Sequence, residues 1–352
     1  MSKLVLLQVL RALAALSVAM LHAQHDAFAL TERSGRPFTG LAAFPWEAGV
    51  DVFFVISGFI MVYASERLFG TPDGPRLFLA RRIARIVPIY WAVTTVYLVV
   101  ALLAPALLNA EFIGWARVLA SYLFIPVARP DGLVQPLYGL GWTLNYEMFF
   151  YASFAFALAW PQRSAVLGLG AGLVALVAIG QVLGPLPQPF GFWAHPIILE
   201  FTYGMALALL YARGFRLPAL PRALLAVAAI LALVVVALSI SDAAIPSRYF
   251  FYGVPAAALV AAVAFGRERD AGRIPLARLG AAIGDASYAI YLIHPFVIRA
   301  GRELALRSGL GAAIGPWSFV ALALVAAVLA SMLVYRLFER PLTARVRAFL
   351  NA

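Results

Sequence analysis

LVLLQVLRALAALSVAMLHAQ, residues 4–24, carries only five polar side chains: Gln8, Arg11, Ser17, His22 and Gln24. As a helix it rises about 1.5 Å per residue and so reaches about 30 Å, the thickness of a bilayer's hydrocarbon core. Nine further runs of similar character follow, near 48–65, 86–104, 138–160, 164–183, 194–212, 223–240, 248–265, 280–298 and 313–335. They predict an all-α polytopic membrane protein of about ten transmembrane helices. A shorter stretch, 112–127, contains Arg117 and ends near Pro126, and reads as re-entrant or interfacial. Were it to span, the count would be eleven and the topology after it would invert.

Composition agrees. Of 352 residues, 64% are hydrophobic and 12% charged, with a mean hydropathy of +0.91. Soluble domains carry roughly 25% charged residues, so a water-soluble globule and a disordered chain are both excluded. The net charge of +11 would suggest nucleic acid in a soluble protein. Here the basic residues cluster between the apolar runs, with 18 on one side and 8 on the other when the chain is threaded through ten spans. That asymmetry places both termini in the cytoplasm and argues against nucleic-acid binding. The chain has no cysteine and four scattered histidines, which excludes disulfides, thiol nucleophiles and cysteine-ligated metal. No metal site is expected. Residues Ala27-Phe28-Ala29 loosely fit a signal-peptidase site, but Arg11 interrupts the apolar core, and a retained first helix is expected. No repeat or soluble segment is visible, so residues 1–352 read as one membrane domain without a soluble C-terminal extension.

A charge at the bilayer centre costs roughly 2.5–3.5 kcal/mol or more, so intramembrane ionisable residues are functional candidates. Arg11 and His22 are eleven residues apart. That is about 1100° of helix, which puts them on one face, about 16 Å apart along the axis. They suit a catalyst that holds a phosphorylated donor from inside and deprotonates an acceptor further out, since a histidine of pKa about 6.5 is matched to general-base work. They suit equally a snorkelling arginine and an interfacial histidine.

Asp51, near the start of the second run, is either a dipole-favoured cap or the carboxylate that orients His22. Ser57 and Gly58 after it permit close helix approach. Arg81, Arg82 and Arg85 stand at the inner mouth of the third run, with Arg82 and Arg85 on one face. They anchor the chain by the positive-inside rule or clamp phosphate with their guanidinium forks. Glu147 has no cation three or four residues away and needs a partner from another helix. Trp142, Tyr288 and Tyr291 suggest polar-lined segments facing a cavity, and Pro295 suggests a kink. His294 and Glu200 read as structural.

Together the motifs Arg-(ten residues)-His (11–22), GVDVFFVISGF (49–59), RRIARIVPIYW (81–91), WTLNYEMFFY (142–151), SYAIYLIHPF (287–296) and FERP (338–341) resemble the acyltransferase 3 family of bacterial membrane acyltransferases. Each motif is mostly apolar and weak alone; six in order are specific. The resemblance runs from Arg11 to about Pro341. It implies a ten-helix enzyme of the bacterial inner (cytoplasmic) membrane. Such an enzyme takes an acyl group, usually acetyl, from cytoplasmic acyl-CoA and transfers it to a hydroxyl of a glycan or lipid-linked sugar. Acetyl-CoA is then a co-substrate, and no cofactor is permanently bound.

By the same resemblance, Arg11 and His22 match the essential pair, His22 as base or acyl relay. Arg82 and Arg85, beside Arg81, match the inner RxxR motif of the coenzyme A donor, and Glu147 matches the acidic position of its helix. Asn145-Tyr146-Glu147 replaces the Ser-Val-Glu of many relatives, a form similar to the exopolysaccharide-modifying branch. Some relatives carry an SGNH hydrolase-like domain; without it, transfer is completed in the membrane domain or with a separate polysaccharide biosynthesis or export protein. The rival reading is a transporter or flippase of a glycan or glycolipid, which needs no donor site and often shows an internal repeat.

Overall fold

In the computed structural model the chain is built from helices, and the structure describes residues 4–34, 37–105, 114–239, 247–266 and 274–351. Lys3, Arg36, Arg267, Arg269 and Arg273 of the charge count, and the first two residues of the 112–127 stretch, lie outside the described residues. No strand forms among the described residues; one isolated bridge joins Ala128 and Val134. Helices are what this composition requires, because in hydrocarbon each backbone N–H and C=O must find its partner within the segment itself.

The main helices, in chain order, are α1 (Val5–Ser34), α2 (Gly49–Ala64), α3 (Gly74–Leu103), α4 (Trp115–Tyr122), α5 (Trp142–Ala157), α6 (Gln162–Leu183) and α7 (Leu199–Ala212). After these come α8 (Ala219–Ser239), α9 (Gly253–Ala264), α10 (Pro275–Asp285), α11 (Ser287–Arg307), α12 (Pro316–Val334) and α13 (Arg340–Phe349). Six described segments are long and apolar enough to cross a membrane alone: Val5–Glu32, Trp46–Ala64, Gly74–Leu103, Gln162–Leu183, Ala219–Ser239 and Pro316–Phe349. The pair α10 and α11, bent by 72°, is long and apolar enough for a seventh crossing if it forms one broken span, and has equally the shape of a re-entrant loop.

Three expected spans come out as shorter helices. α5 has 16 residues and α7 has 14, and each follows a 3-10 turn, Gly139–Gly141 and Pro196–Ile198 respectively. The stretch Arg248–Ala264 is likewise divided at Tyr252. Hydropathy runs on through such turns although the α-helical hydrogen bonds do not, so an apolar run overstates the helix. The stretch containing Arg117 forms α4, whose eight residues rise about 12 Å, well short of the hydrocarbon thickness.

The chain divides into two compact units, residues 1–56 with 210–338 and residues 57–209 with 339–352. In the first, α1 is the central element and packs against α9, α10, α11 and α12. Its buried face is rich in alanine, with Ala12, Ala15, Ala19, Ala23 and Ala27 all at most 3% exposed. Small side chains let helices approach closely where apolar burial from water is not the driving force. Gly284 of α10 shows how closely: a side chain there would collide with the backbone carbonyl of Gln8. In the second unit α5 packs on α3 and α6, and the C-terminal α13 packs on α3. Gly58 abuts the backbone carbonyl of Phe201, leaving no room for a side chain.

Candidate functional site

Arg11 and His22 stand on one uninterrupted helix, α1, of the first unit. Arg11 is half-buried and donates to Gln8 Oε1 at 3.3 Å. The ring of His22 turns towards α11. Its Nδ1 lies 2.9 Å from the Val18 carbonyl, one turn earlier, and 3.1 Å from His294 Nε2. The two imidazoles are tilted by 55° with centroids 5.0 Å apart. His294 is fully buried, and its Nδ1 lies 2.8 Å from the Ile290 carbonyl. His294 thus joins the one intramembrane histidine that sequence reasoning singled out. Taken alone it read as a packing residue, since nothing in the linear pattern brings α11 to α1.

Four carboxylates of this unit, Asp26, Glu47, Asp51 and Glu303, are engaged with partners other than His22. Asp51 is completely buried and takes a bidentate pair from Arg248, with Nε at 2.9 Å and Nη2 at 2.7 Å. The ring of His22 bonds instead to Val18 and His294, so the orienting role open to Asp51 is not the one the structure shows. Arg248 also donates to the Glu47 carbonyl, and Tyr252 donates to the Glu47 side chain at 2.9 Å. One turn beyond His22, Asp26 pairs with Arg302 at 2.6 Å, and Arg302 pairs in turn with Glu303 at 2.8 Å. Asp26 and His25 are ionisable neighbours of His22 on its own helix.

In the second unit Arg81, Arg82 and Arg85 project from α3, and α13 adds Arg347, which lies within electrostatic reach of Arg85 and Arg81. Arg82 has Tyr151, Arg85, Arg347 and Glu147 around it, and its guanidinium sits 5.6 Å from the Phe78 ring centroid. None of these four arginines forms an ion pair among the described residues, and the Nε atoms of Arg82 and Arg347 are buried without a hydrogen-bond partner. Glu147 accepts a 2.7 Å hydrogen bond from Ser57 and is within hydrogen-bonding reach of the Tyr151 hydroxyl. Ser57 and Gly58 thus divide two tasks on adjacent faces, one polar and one of packing. Sequence reasoning missed Arg347. Its signal was a basic residue in an amphipathic terminal helix, which any membrane-anchoring helix would also show.

The remaining candidates take other places. Trp142 sets its ring edge against Tyr146, centroids 6.0 Å apart. Tyr291 is buried between Phe53 and His294, with centroid distances of 6.3 and 6.4 Å, and Tyr288 is half-buried. The first unit holds an apolar cavity of about 650 Å³ lined by residues including Leu10, Ala14, Met20, Phe44 and Trp46. Trp142, Tyr288 and Tyr291 are not in its wall. His195 caps the turn before α7 by accepting from the Ile197 N–H, and Glu200 is buried near Tyr146. Among the described residues no group of three or more His, Asp or Glu side chains is arranged to hold a metal ion.

The sequence profile of the acyltransferase 3 domain family matches residues 5–336. The exopolysaccharide production protein ExoZ of Rhizobium meliloti (strain 1021) is 37% identical over 322 residues, covering 91% of this chain and 95% of that protein. The acyltransferase MdmB of Streptomyces mycarofaciens is 25% identical over 363 residues, covering 94% of this chain and 89% of its own. No solved structure matches the chain significantly.

Proposed function

This chain belongs to the acyltransferase 3 family and is a membrane O-acyltransferase, and from that premise we propose that it moves an acetyl group from cytoplasmic acetyl-CoA to a hydroxyl of an exported or lipid-linked polysaccharide. The enzyme works in the bacterial inner membrane. The observation that carries the donor assignment is the gathering of Arg81, Arg82, Arg85 and Arg347, four cations each within electrostatic reach of another of the set, with Glu147 as the acidic neighbour of Arg82. Like charges are held together at a cost unless an anion offsets them, and the phosphates of coenzyme A supply several charges in a form that guanidinium forks bind bidentately. Glu147, held by Ser57, positions Tyr151 and balances Arg82. The acceptor is inferred from the ExoZ relative, whose name places it in exopolysaccharide production.

In the reaction the acceptor oxygen attacks the thioester carbonyl, and His22 takes the hydroxyl proton. A positioned base contributes about 10²–10⁴-fold to such a step. The tetrahedral oxyanion needs hydrogen-bond donors, each worth roughly 3–4 kcal/mol in other acyl-transfer enzymes, and Arg11 is one such donor. The test uses purified protein in nanodiscs, with release of coenzyme A from acetyl-CoA measured with and without envelope glycans. His22→Ala should abolish turnover while retaining donor binding, and Arg82→Ala should weaken donor binding. Folded wild-type protein that neither binds nor turns over acetyl-CoA would overturn acetyl-CoA as the donor.

A further inference from the structure

We propose that His294 is a positioning residue for acyl transfer, which holds His22 in the tautomer whose Nε2 is the base and shares the charge that His22 gains. The inference rests on the reading of His22 as that base. Three short contacts carry it. His294 Nδ1 faces the Ile290 carbonyl at 2.8 Å, His22 Nδ1 faces the Val18 carbonyl at 2.9 Å, and His294 Nε2 lies 3.1 Å from His22 Nδ1. A carbonyl oxygen only accepts, so each Nδ1 carries the proton it donates. The Nε2 lone pair of His294 then accepts from His22 Nδ1–H, which is shared with Val18. A neutral imidazole has one N–H, so His22 Nε2 is left with a bare lone pair. The opposite assignment would set the lone pairs of His294 Nδ1 and His22 Nδ1 against the two carbonyls, replacing two hydrogen bonds with two repulsions.

The sequence around His294 supports the same assignment. Pro295 has no N–H and so removes the helical donor that the Tyr291 carbonyl would otherwise have. The His294 ring has the carbonyls of both Ile290 and Tyr291 near it, and its Nδ1 faces that of Ile290 at 2.8 Å. His294 is 0% exposed, so it acts through His22 and not on the substrate. Among the described residues His22 Nε2 makes no hydrogen bond within the protein, and it is the ring position available to an acceptor hydroxyl.

The proton balance follows. The acceptor oxygen bonds to the thioester carbonyl carbon while its proton passes to His22 Nε2. The C–S bond then breaks, and the same proton leaves on the sulfur as the free thiol. Between these events the imidazolium of His22 donates through Nδ1–H to His294 Nε2, which spreads the charge over both rings.

Histidine-selective ¹⁵N labelling of the full chain in nanodiscs tests this, because the chain has four histidines and their signals can be assigned by single replacement. Wild-type His22 should show a protonated Nδ1 and a bare Nε2. In His294→Leu the His22 tautomer should become mixed, and turnover should fall about 10²-fold, the loss typical of a misplaced catalytic group, with acetyl-CoA binding unchanged. Two polar variants separate positioning from packing. His294→Gln keeps an acceptor that reaches His22 and should recover most of the activity. His294→Asn is too short to reach it and should behave like His294→Leu.

A wild-type His22 protonated on Nε2 overturns the proposal, as does His294→Leu at wild-type rate, or His294→Gln no better than His294→Asn in folded protein. Wild-type protein that transfers no acyl group sinks the proposed function instead. The tautomer read from that same sample still upholds or overturns the pairing.

Discussion

The charged groups around His22 and those around Arg82 are handled in opposite ways. In the first unit the partners come from the chain itself: Asp26 with Arg302 at 2.6 Å, Asp51 with Arg248 at 2.7 Å and His22 with His294 at 3.1 Å. In the second unit Arg81, Arg82, Arg85 and Arg347 stand together with Glu147 as the acidic neighbour of Arg82. A set of groups with internal partners is preorganised, since its geometry does not wait for a ligand. A set of like charges is held by the fold against its own repulsion and gains most when an anion binds. The difference matches the proposed division of labour, in which one region orients a proton acceptor and the other recognises phosphate.

Replacing the base should break this contrast most severely. His22→Ala is expected to lower kcat by about 10²–10⁴-fold with the donor affinity intact, measured by coenzyme A release and direct binding. Second in size is Asp51→Ala, which strands Arg248. Breaking a buried pair costs about 3–5 kcal/mol, and the low end applies because the Arg248 side chain is 24% exposed. Thermal unfolding in detergent should show that loss, and Asp51→Leu combined with Arg248→Leu should recover much of it. Wild-type stability in Asp51→Ala with turnover per folded molecule lost would show that Asp51 serves catalysis instead.

The arginines sharpen the other side. Arg82→Ala should weaken acetyl-CoA binding by about 2 kcal/mol, roughly thirtyfold, and Arg82→Lys should restore only part, because a point charge cannot replace a bidentate fork. Smallest is Arg347→Ala, worth about 1 kcal/mol at low salt and fading as ionic strength rises, since the residue stands at the end of its helix. Donor affinity unchanged in both variants would mean that the cluster is only a membrane anchor.

Much of the site is legible in the linear sequence. Arg11, His22, Arg82, Arg85 and Glu147 are polar groups in apolar runs, and their energetic cost there marks them out. Their partners are not legible in the same way. Asp51 pairs with a residue 197 positions away and His22 with one 272 positions away. Helix period relates only residues of the same helix, so neither pairing leaves a trace in spacing. His294 shows this most clearly. The His-Pro dipeptide and its two carbonyls are local and can be read, whereas the acceptor role of its Nε2 depends on which helix lies opposite.

The amino-acid sequence determined that this is a helical membrane protein, which residues are costly to bury and which family pattern they follow. These are consequences of composition and of local chain geometry, and both are written in consecutive residues. Tertiary structure decided where apolar runs break into turns, which carboxylate each arginine takes, and that His294 rather than Asp51 meets the ring of His22. Those outcomes depend on how closely helices pack, which alanines and glycines permit and only the folded arrangement selects.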